Sequence, residues 1–221
     1  MEKLLPELSK IDGIKRIRLS YLQPAEMRPT LLQAMIENEK VAPYFDLSFQ
    51  HSSKDILRTM RRFGGSEDFL HLIAQIRALS PEAGIRSNFI VGFPGESEED
   101  FNQVMEFVDA AKLDAVGVFG YSDEDGTEAA SATNKLAGEV IAERVAKLTQ
   151  LAESAVANRA AARIGEQVLV LIDDEELQEG RAAHQGPEVD GTVAFMNSNY
   201  RNGEWVSATV IDSMGSDLVA Q

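Results

Sequence analysis

Short apolar runs alternate with amphipathic stretches along the first 163 residues, and this alternation restricts the possible fold more than any other feature. The runs lie at residues 14–19, 44–49, 85–91 and 115–121, and a stretch with apolar residues at helical spacing follows each of them. A strand that is followed by a helix and then by another strand is typical of a parallel sheet. The sequence therefore predicts an α/β fold, either a parallel sheet or a (β/α) barrel.

The predicted helices have recognisable first turns. Ser52 or Ser53 is suited to cap a helix that runs to residue 60, and Ser66 is suited to cap a helix that ends before Pro81. Ser97 precedes three acidic residues, which the positive end of a helix dipole favours. We therefore predict helices at residues 30–39, 52–60, 66–79, 98–111 and 138–163.

The pattern changes after residue 163. Short strand-like runs are now separated by Gly, Asn, Asp and Pro without a long helix, which is typical of a small antiparallel β-barrel. Residues 164–221 also carry eleven acidic side chains and two arginines, a net charge of −9 out of −15 for the chain. We therefore predict two domains, residues 1–163 and residues 164–221, of which the second is strongly acidic.

The composition excludes several kinds of site. The chain has no cysteine, so it forms no disulfide and supplies no thiolate to a zinc or iron–sulfur centre, and its three histidines are scattered. A net charge of −15 disfavours direct nucleic-acid binding, because phosphate recognition depends on lysine and arginine. No apolar run is long enough to span a membrane, and the N-terminus is too charged for a signal peptide. We therefore expect a cytoplasmic protein without a metal site of its own.

Residues 86–101, RSNFIVGFPGESEEDF, form the most informative segment for function. A predicted strand ends there in a turn with Gly92, Pro94 and Gly95, and strand ends of this kind hold the ligand sites of parallel α/β proteins. The two glycines allow the backbone to approach a ligand that a Cβ would push away. Glu96 either caps the next helix or holds a ligand hydroxyl, and the residues alone leave both interpretations open.

This segment and two others resemble a known family, the radical S-adenosylmethionine (SAM) methylthiotransferases. Residues 85–101 are similar to the fifth barrel strand of that family, residues 44–62 (YFDLSFQHSSKDILRTMRR) to its fourth, and residues 113–130 (LDAVGVFGYSDEDGTEAA) to its sixth. Residues 180–193, GRAAHQGPEVDGTV, resemble its TRAM domain, a small β-barrel that holds the substrate. The resemblance implies the C-terminal half of a (β/α) TIM-type radical SAM barrel followed by a TRAM barrel.

The resemblance also implies cofactors and the residues that bind them. The family uses SAM and four-iron four-sulfur clusters, and the protein positions the cofactor while the cofactor supplies the chemistry. By family position, Gln50, Ser52 and Arg62 are candidates for the polar end of SAM, and the adenosine side is assigned to Asn88, Gly92, Glu96 and Phe119. Each has an ordinary structural alternative, such as a helix cap, a core position or a solvated helix end. We predict neither a catalytic residue nor a metal ligand in this chain.

Two branches of the family differ in substrate, and one modifies an aspartate of ribosomal protein S-twelve whereas the other modifies a tRNA adenosine. The Gln50-His51 pair and residues 180–191 resemble the ribosomal-protein branch. An acidic tail domain also complements a basic ribosomal protein better than it complements tRNA. The alternatives are part of a tRNA (adenosine) methylthiotransferase, or a non-catalytic module that binds a basic protein.

The match fails at the cluster ligands. The family holds its radical-generating cluster with a CxxxCxxC loop, and this chain has no cysteine at all. We therefore expect the chain to be a portion of a longer enzyme that alone binds no cluster and cleaves no SAM.

Overall fold

The computed structural model describes residues 1–187, 189–196 and 198–221. Its first part contains a parallel sheet in the order β1 (Tyr44–Asp46), β2 (Gly84–Val91) and β3 (Ala115–Gly120). Six α-helices belong to the described part of the chain: α1 Leu4–Ser9, α2 Pro29–Ile36, α3 Lys54–Thr59, α4 Ser66–Leu79, α5 Glu98–Ala111 and α6 Gly138–Ala161. The alternation of strands and helices confirms the predicted α/β class.

The strand predicted at residues 14–19 does not form a ladder. This segment lies parallel to its neighbour, but only the isolated bridges Ile17–Val41 and Leu22–Leu47 join it there. The basic side chains of the segment contact aromatic rings instead. The guanidinium of Arg16 lies 4.4 Å from the centre of the Trp205 ring, and that of Arg18 lies 4.4 Å from the centre of the Tyr44 ring.

The core of this part lies between the sheet and the helices. Four phenylalanines, one from each of four different segments, meet there with ring centres 4.5–6.0 Å apart: Phe49, Phe69, Phe89 and Phe107. Aromatic groups at these separations and angles contribute beyond the apolar area that they bury. The cluster fixes α4 and α5 against β2 and the segment after β1.

Two of the predicted helix caps are confirmed and one is wrong. Ser53 accepts a hydrogen bond from the backbone of Ile56 at 3.5 Å, and Ser97 and Asp100 form a reciprocal capping box at the start of α5. Helix α4, however, is preceded by Gly65 as its N-cap, so Ser66 is its first helical residue. Ser66 instead donates from its backbone and its hydroxyl to the carbonyl of Ser52, at 3.0 and 3.3 Å.

The second part is a closed five-stranded barrel, as the alternation of short strands and turns predicts. Its order is β4 (Gln167–Asp174), β5 (Glu179–Ala182), β6 (Val193–Phe195), β8 (Asp217–Ala220) and β7 (Trp205–Met214). One pair departs from the predicted antiparallel arrangement, since β6 and β8 run parallel. The whole of β7 lies between these two strands in sequence, and its return brings β8 alongside β6 in the same direction.

The small barrel is fixed to the amino end of the parallel sheet. Asp190, which is 5% exposed, accepts from the Tyr44 hydroxyl at 2.6 Å and from the backbone of Gly186 at 2.8 Å, and it lies 3.5 Å from Arg86. Gly84 faces the backbone carbonyl of His184 so closely that a Cβ there would collide with it. The parallel sheet and the small barrel therefore meet backbone to backbone as well as through ion pairs.

Helix α6 leads into this interface and brings a buried arginine with it. Arg163 is 2% exposed, donates to Asp114 at 2.5 Å and to Glu166 at 2.8 Å, and reaches the carbonyl of Ala83 at 3.3 Å. Burial, together with the nearby arginines, holds the pKa of His184 well below its usual value. His184 is therefore neutral in the folded protein.

Within the described ranges, the helices are all too short or too polar to cross a membrane. The same residues contain no cluster of three or more His, Cys, Asp or Glu side chains placed to hold a metal ion.

Candidate functional site

A cavity of about 860 Å³ opens at the carboxyl edge of the parallel sheet. The segments that follow β1, β2 and β3 line it, and the loop at residues 120–129 forms its rim. Parallel α/β proteins bind ligands at this edge because the loops there converge around the strand ends. Four of the seven residues predicted to bind a cofactor line the cavity: Gln50, Arg62, Asn88 and Phe119.

Gln50 holds its place through an uncommon backbone conformation. Its φ angle is +67°, and its backbone pairs with Phe89 as an isolated parallel bridge. The backbone N–H of Gln50 donates to the backbone carbonyl of Asn88 at 3.0 Å, and the backbone carbonyl of Gln50 accepts from the backbone N–H of Ile90 at 2.8 Å. A left-handed conformation is rare in residues other than glycine and costs free energy, so a site that retains it often has a functional reason.

Asn88 presents an acceptor that no protein group uses. Its Oδ1 is buried, and it forms no hydrogen bond with any described residue. The side chain lies across Gly117 on β3, where a Cβ would collide with that oxygen. A buried acceptor without a partner is costly, and so Asn88 is suited to a ligand that brings a donor.

Arg62 contributes a positive charge to the same cavity. Its Nη1 donates to the side chain of Gln23 at 2.8 Å and to the carbonyl of Ser48 at 3.3 Å, which orients the guanidinium. Burial lowers the pKa of Arg62, but an arginine remains charged at neutral pH. The Nη2 group makes no hydrogen bond to the described part of the chain and is suited to a carboxylate.

Aromatic side chains form the apolar wall of the cavity. Phe119 is 55% exposed although it belongs to a strand, and Phe93 packs edge-on against Tyr121 with ring centres 5.2 Å apart. An exposed aromatic face next to polar groups is suited to a ligand with a flat ring. The cavity thus combines the Arg62 guanidinium, the unused acceptor of Asn88 and an aromatic surface.

The acidic loop at residues 120–129 is stabilised by a hydrogen bond and ion pairs of its own residues. Asp123 accepts from Tyr121 at 2.9 Å and pairs with Lys135 at 2.7 Å, while Glu128 pairs with Arg61 from α3's end of the cavity. The two ion pairs join the loop to Lys135, which follows it in sequence, and to Arg61 after α3. They agree with a solvated βα loop that is held by surface ion pairs.

The other three predicted residues lie outside the cavity lining. Ser52 is 1% exposed, lines a different cavity beside Asp100, and its hydroxyl has no hydrogen-bond partner in the described residues. Gly92 packs against Ile141 of α6, so that a side chain at this position would strike the helix. The positive φ of Gly92, +78°, and this close approach give its absent side chain a structural reason.

Glu96 is the centre of a buried polar cluster. One of its oxygens accepts from the amide of Gly92 at 2.8 Å and lies 3.4 Å from Nε2 of His51, and the other pairs with Arg144 at 2.5 Å. His51 in turn accepts a hydrogen bond from the amide of Ser53 at 3.0 Å through Nδ1. The cluster joins the ends of β1 and β2 to α6 immediately behind the cavity.

Arg144 is the residue of this cluster that the sequence interpretation missed. It is 6% exposed, although helix α6 is otherwise rich in solvated charges. Its position offers a signal, because it lies three residues after Ile141 and four before Leu148 on the apolar face of the helix. A charged residue in such a face requires a buried partner.

Comparisons with known proteins agree with this geometry. Residues 1–108 match the family model of the radical SAM superfamily, and residues 164–221 match that of the TRAM domain. In the solved structures, coproporphyrinogen III oxidase (HemN) from Escherichia coli, a radical SAM enzyme, aligns with a TM-score of 0.53 and 20% identity. The alignment covers 68% of this chain and 36% of HemN, and it supports the fold.

Curated relatives match over the whole chain. The ribosomal protein uS12 methylthiotransferase RimO of Streptomyces avermitilis is 56% identical, and that of Saccharopolyspora erythraea is 58% identical. Each alignment covers 100% of this chain and 46% of the relative. The chain therefore spans about half the length of the relatives that it matches.

Proposed function

Because the chain belongs to the radical SAM superfamily, we propose that it forms the SAM-binding wall of a methylthiotransferase that modifies an aspartate of ribosomal protein uS12, the S-twelve protein. The relatives with this name share more than half of their aligned residues with the chain over its full length. Since the chain spans only about half of those proteins, the activity is a proposal for the whole enzyme and not for these 221 residues alone.

The observation that supports SAM binding most directly is the unpartnered Oδ1 of Asn88 beside the exposed ring of Phe119. SAM has hydrogen-bond donors on its adenosine part, a flat base, and a carboxylate at its other end. In this proposal Asn88 accepts a hydrogen bond from the adenosine, Phe119 contacts the base, and Arg62 and Gln50 hold the polar end. Ser52, Gly92 and Glu96 support the wall from behind instead of touching the ligand.

The residues present fit SAM but not an iron–sulfur cluster. When SAM is bound next to a four-iron four-sulfur cluster, its reductive cleavage supplies a radical that abstracts hydrogen. Such clusters are held by cysteine thiolates, and the chain has no cysteine. The role of this chain is therefore to bind and orient SAM, to exclude water from the aromatic side of the cavity, and to present the substrate.

The acidic barrel is the part of the chain suited to that substrate. Its net charge of −9 favours long-range attraction of a lysine- and arginine-rich ribosomal protein and opposes contact with tRNA phosphates. We propose the barrel, residues 164–221, as the domain that binds uS12, with its boundary near residue 163. A ribosomal substrate also places the enzyme in the cytoplasm.

A titration with SAM, followed by the amide spectrum of the ¹⁵N-labelled chain, tests the binding site. We expect the signals of Gln50, Asn88 and Phe119 to shift, and Phe119→Ala to weaken binding about threefold or more because a stacking surface is lost. Phe63→Ala is the matched control, since Phe63 is 82% exposed and does not line the cavity. Shifts that avoid the cavity, or equal effects of both variants, would contradict this site.

The substrate proposal has a separate test. We expect the chain to retain uS12 on an affinity column at a salt concentration at which it retains no tRNA. Retention of tRNA in preference to uS12 would favour the tRNA-modifying branch instead.

A further inference from the structure

Strand β3 has a free edge. It pairs with β2 on one side, and no described strand pairs with it on the other. The amide of Tyr121 donates to Val91 of β2 at 2.9 Å, and backbone groups in a strand alternate in direction. Gly117 and Phe119 therefore bond to β2, whereas Val116 and Val118 direct their amides and carbonyls outward.

A groove of about 540 Å³ runs beside this edge. Val116 and Val118 form its floor, and α6 contributes one wall with Ala152 and Val156. The small barrel contributes the other wall through the segments around Val189 and residues 215–216, and Val189 is 60% exposed. An unpaired strand next to an apolar groove is the geometry to which an extended peptide adds as a further strand.

The edge also lacks the features with which proteins block such pairing. Proline, lysine and inward-pointing charges commonly protect exposed strands, and none of these occurs in β3, whose sequence is AVGVFG. The segment is short, which limits self-association, but its edge is otherwise ready to pair.

The charges around the groove select a basic occupant. Glu153 is the charged side chain among the described lining residues, the exposed acids Glu124 and Asp125 lie in the loop that follows β3, and the barrel with its net charge of −9 forms one wall. A lysine- and arginine-rich strand is therefore attracted along the whole groove, and an acidic one is repelled.

We propose that the free edge of β3 pairs with an extended basic segment of the protein substrate and leads that segment from the acidic barrel to the rim of the cavity. This inference rests on the proposed function, because it takes uS12 as the substrate. It assigns the capture of the substrate to backbone hydrogen bonds at Val116 and Val118 in addition to the charge of the barrel. The strand that carries them ends at Phe119 and Gly120, which line the cavity.

Hydrogen exchange of the ¹⁵N-labelled chain, with and without purified uS12, tests the pairing residue by residue. We expect the amides of Val116 and Val118 to exchange at least tenfold more slowly in the complex. The amides of Gly117 and Phe119 are already bonded to β2 and should change little. Slower exchange at Val116 and Val118 without a change at the exposed loop residues 122–126 indicates strand addition, because a partner that merely covered this surface would slow the loop amides as well.

A pair of variants separates the backbone from the side chain. Val118→Pro removes one outward donor without removing a bond to β2, and we expect it to weaken uS12 binding about tenfold. Val118→Ala keeps the amide and should bind within about twofold of the unchanged chain. If Val118→Pro does not fold, as judged by its amide spectrum, the exchange pattern of the unchanged chain still decides the matter.

Three results would overturn the inference. One is uS12 binding with protection limited to the barrel, and another is equal loss of binding in the proline and alanine variants. The third is slow exchange of Val116 and Val118 in the free chain that increases with its concentration, which would show a second copy on the edge. In each case the unchanged chain still binds SAM and uS12, so the proposed function is tested separately.

Discussion

The amino and carboxyl ends of the parallel strands differ in how their polar groups are used. At the amino end, Asp190 accepts from the Tyr44 hydroxyl and pairs with Arg86 beneath the small barrel, and Gly84 meets the backbone of His184. At the carboxyl end, the acceptor of Asn88 is unused and the ring of Phe119 is exposed. The comparison teaches that the amino end of the sheet is used for contact with the small barrel, whereas the carboxyl end keeps its interactions available for a ligand.

The largest expected effect on stability comes from removing the buried contacts between the small barrel and the amino end of the sheet. Asp190→Ala removes the partner of Tyr44, Arg86 and Gly186 at a buried position, and we expect it to lower the free energy of unfolding by about 3 kcal/mol. Denaturant unfolding of the chain measures this change. Glu176→Gln, an exposed acid of the same barrel, is the control and should stay within about 0.5 kcal/mol. An equally small loss for Asp190→Ala would show that the contact between domains is weak.

A smaller effect is expected at the cluster behind the cavity. Glu96→Gln leaves Arg144 with a neutral partner at a site where both side chains are buried, so we expect a loss of about 2 kcal/mol. Glu98→Gln provides a matched control because Glu98 pairs with the same arginine at 3.1 Å but is 68% exposed. Surface pairs contribute little, so this variant should lose about 0.5 kcal/mol or less. Equal losses would contradict the assignment of Glu96 as the centre of the cluster.

The smallest effect on stability is expected in the cavity at the carboxyl end of the sheet, where a change in ligand binding should occur without a change in stability. Asn88→Leu replaces an unpartnered buried oxygen by an apolar group of similar size, so stability should remain within about 0.5 kcal/mol or increase. SAM binding should nevertheless weaken about tenfold, since the acceptor is lost. Unfolding and SAM titration of the same sample measure both quantities. A large loss of stability with unchanged SAM binding would reverse the roles of the two ends.

Local sequence patterns predicted the parts of the structure that local forces determine. The β2 strand, the capping box of Ser97 and Asp100 and the helix that follows all arise within residues 84–111, and the prediction for this segment is confirmed. Residues 14–19, where the predicted strand forms no ladder, also make contacts that local patterns do not contain, because Arg16 finds its partners more than 150 positions away in the barrel. Alternating basic and apolar residues cannot reveal that the basic ones serve a second domain.

The candidate site shows the same limit. Sequence resemblance brought Gln50, Arg62, Asn88 and Phe119 to one cavity, but it also assigned Glu96 to the ligand. The partner of that carboxylate is Arg144, which lies 48 positions later on α6. A carboxylate near a glycine turn is compatible with a ligand contact or with a buried ion pair. The packing of α6 reveals the ion pair, and the assignment of Glu96 to the ligand stays a prediction.

The close contact of Gly84 with the backbone of His184 has a consequence for distance. It places the barrel beside the first residue of β2, and the cavity lies at the other end of this eight-residue strand. At the usual rise of a strand this is about 23 Å, or about seven extended residues. An extended segment of about seven residues is therefore long enough to reach from this backbone contact to the cavity.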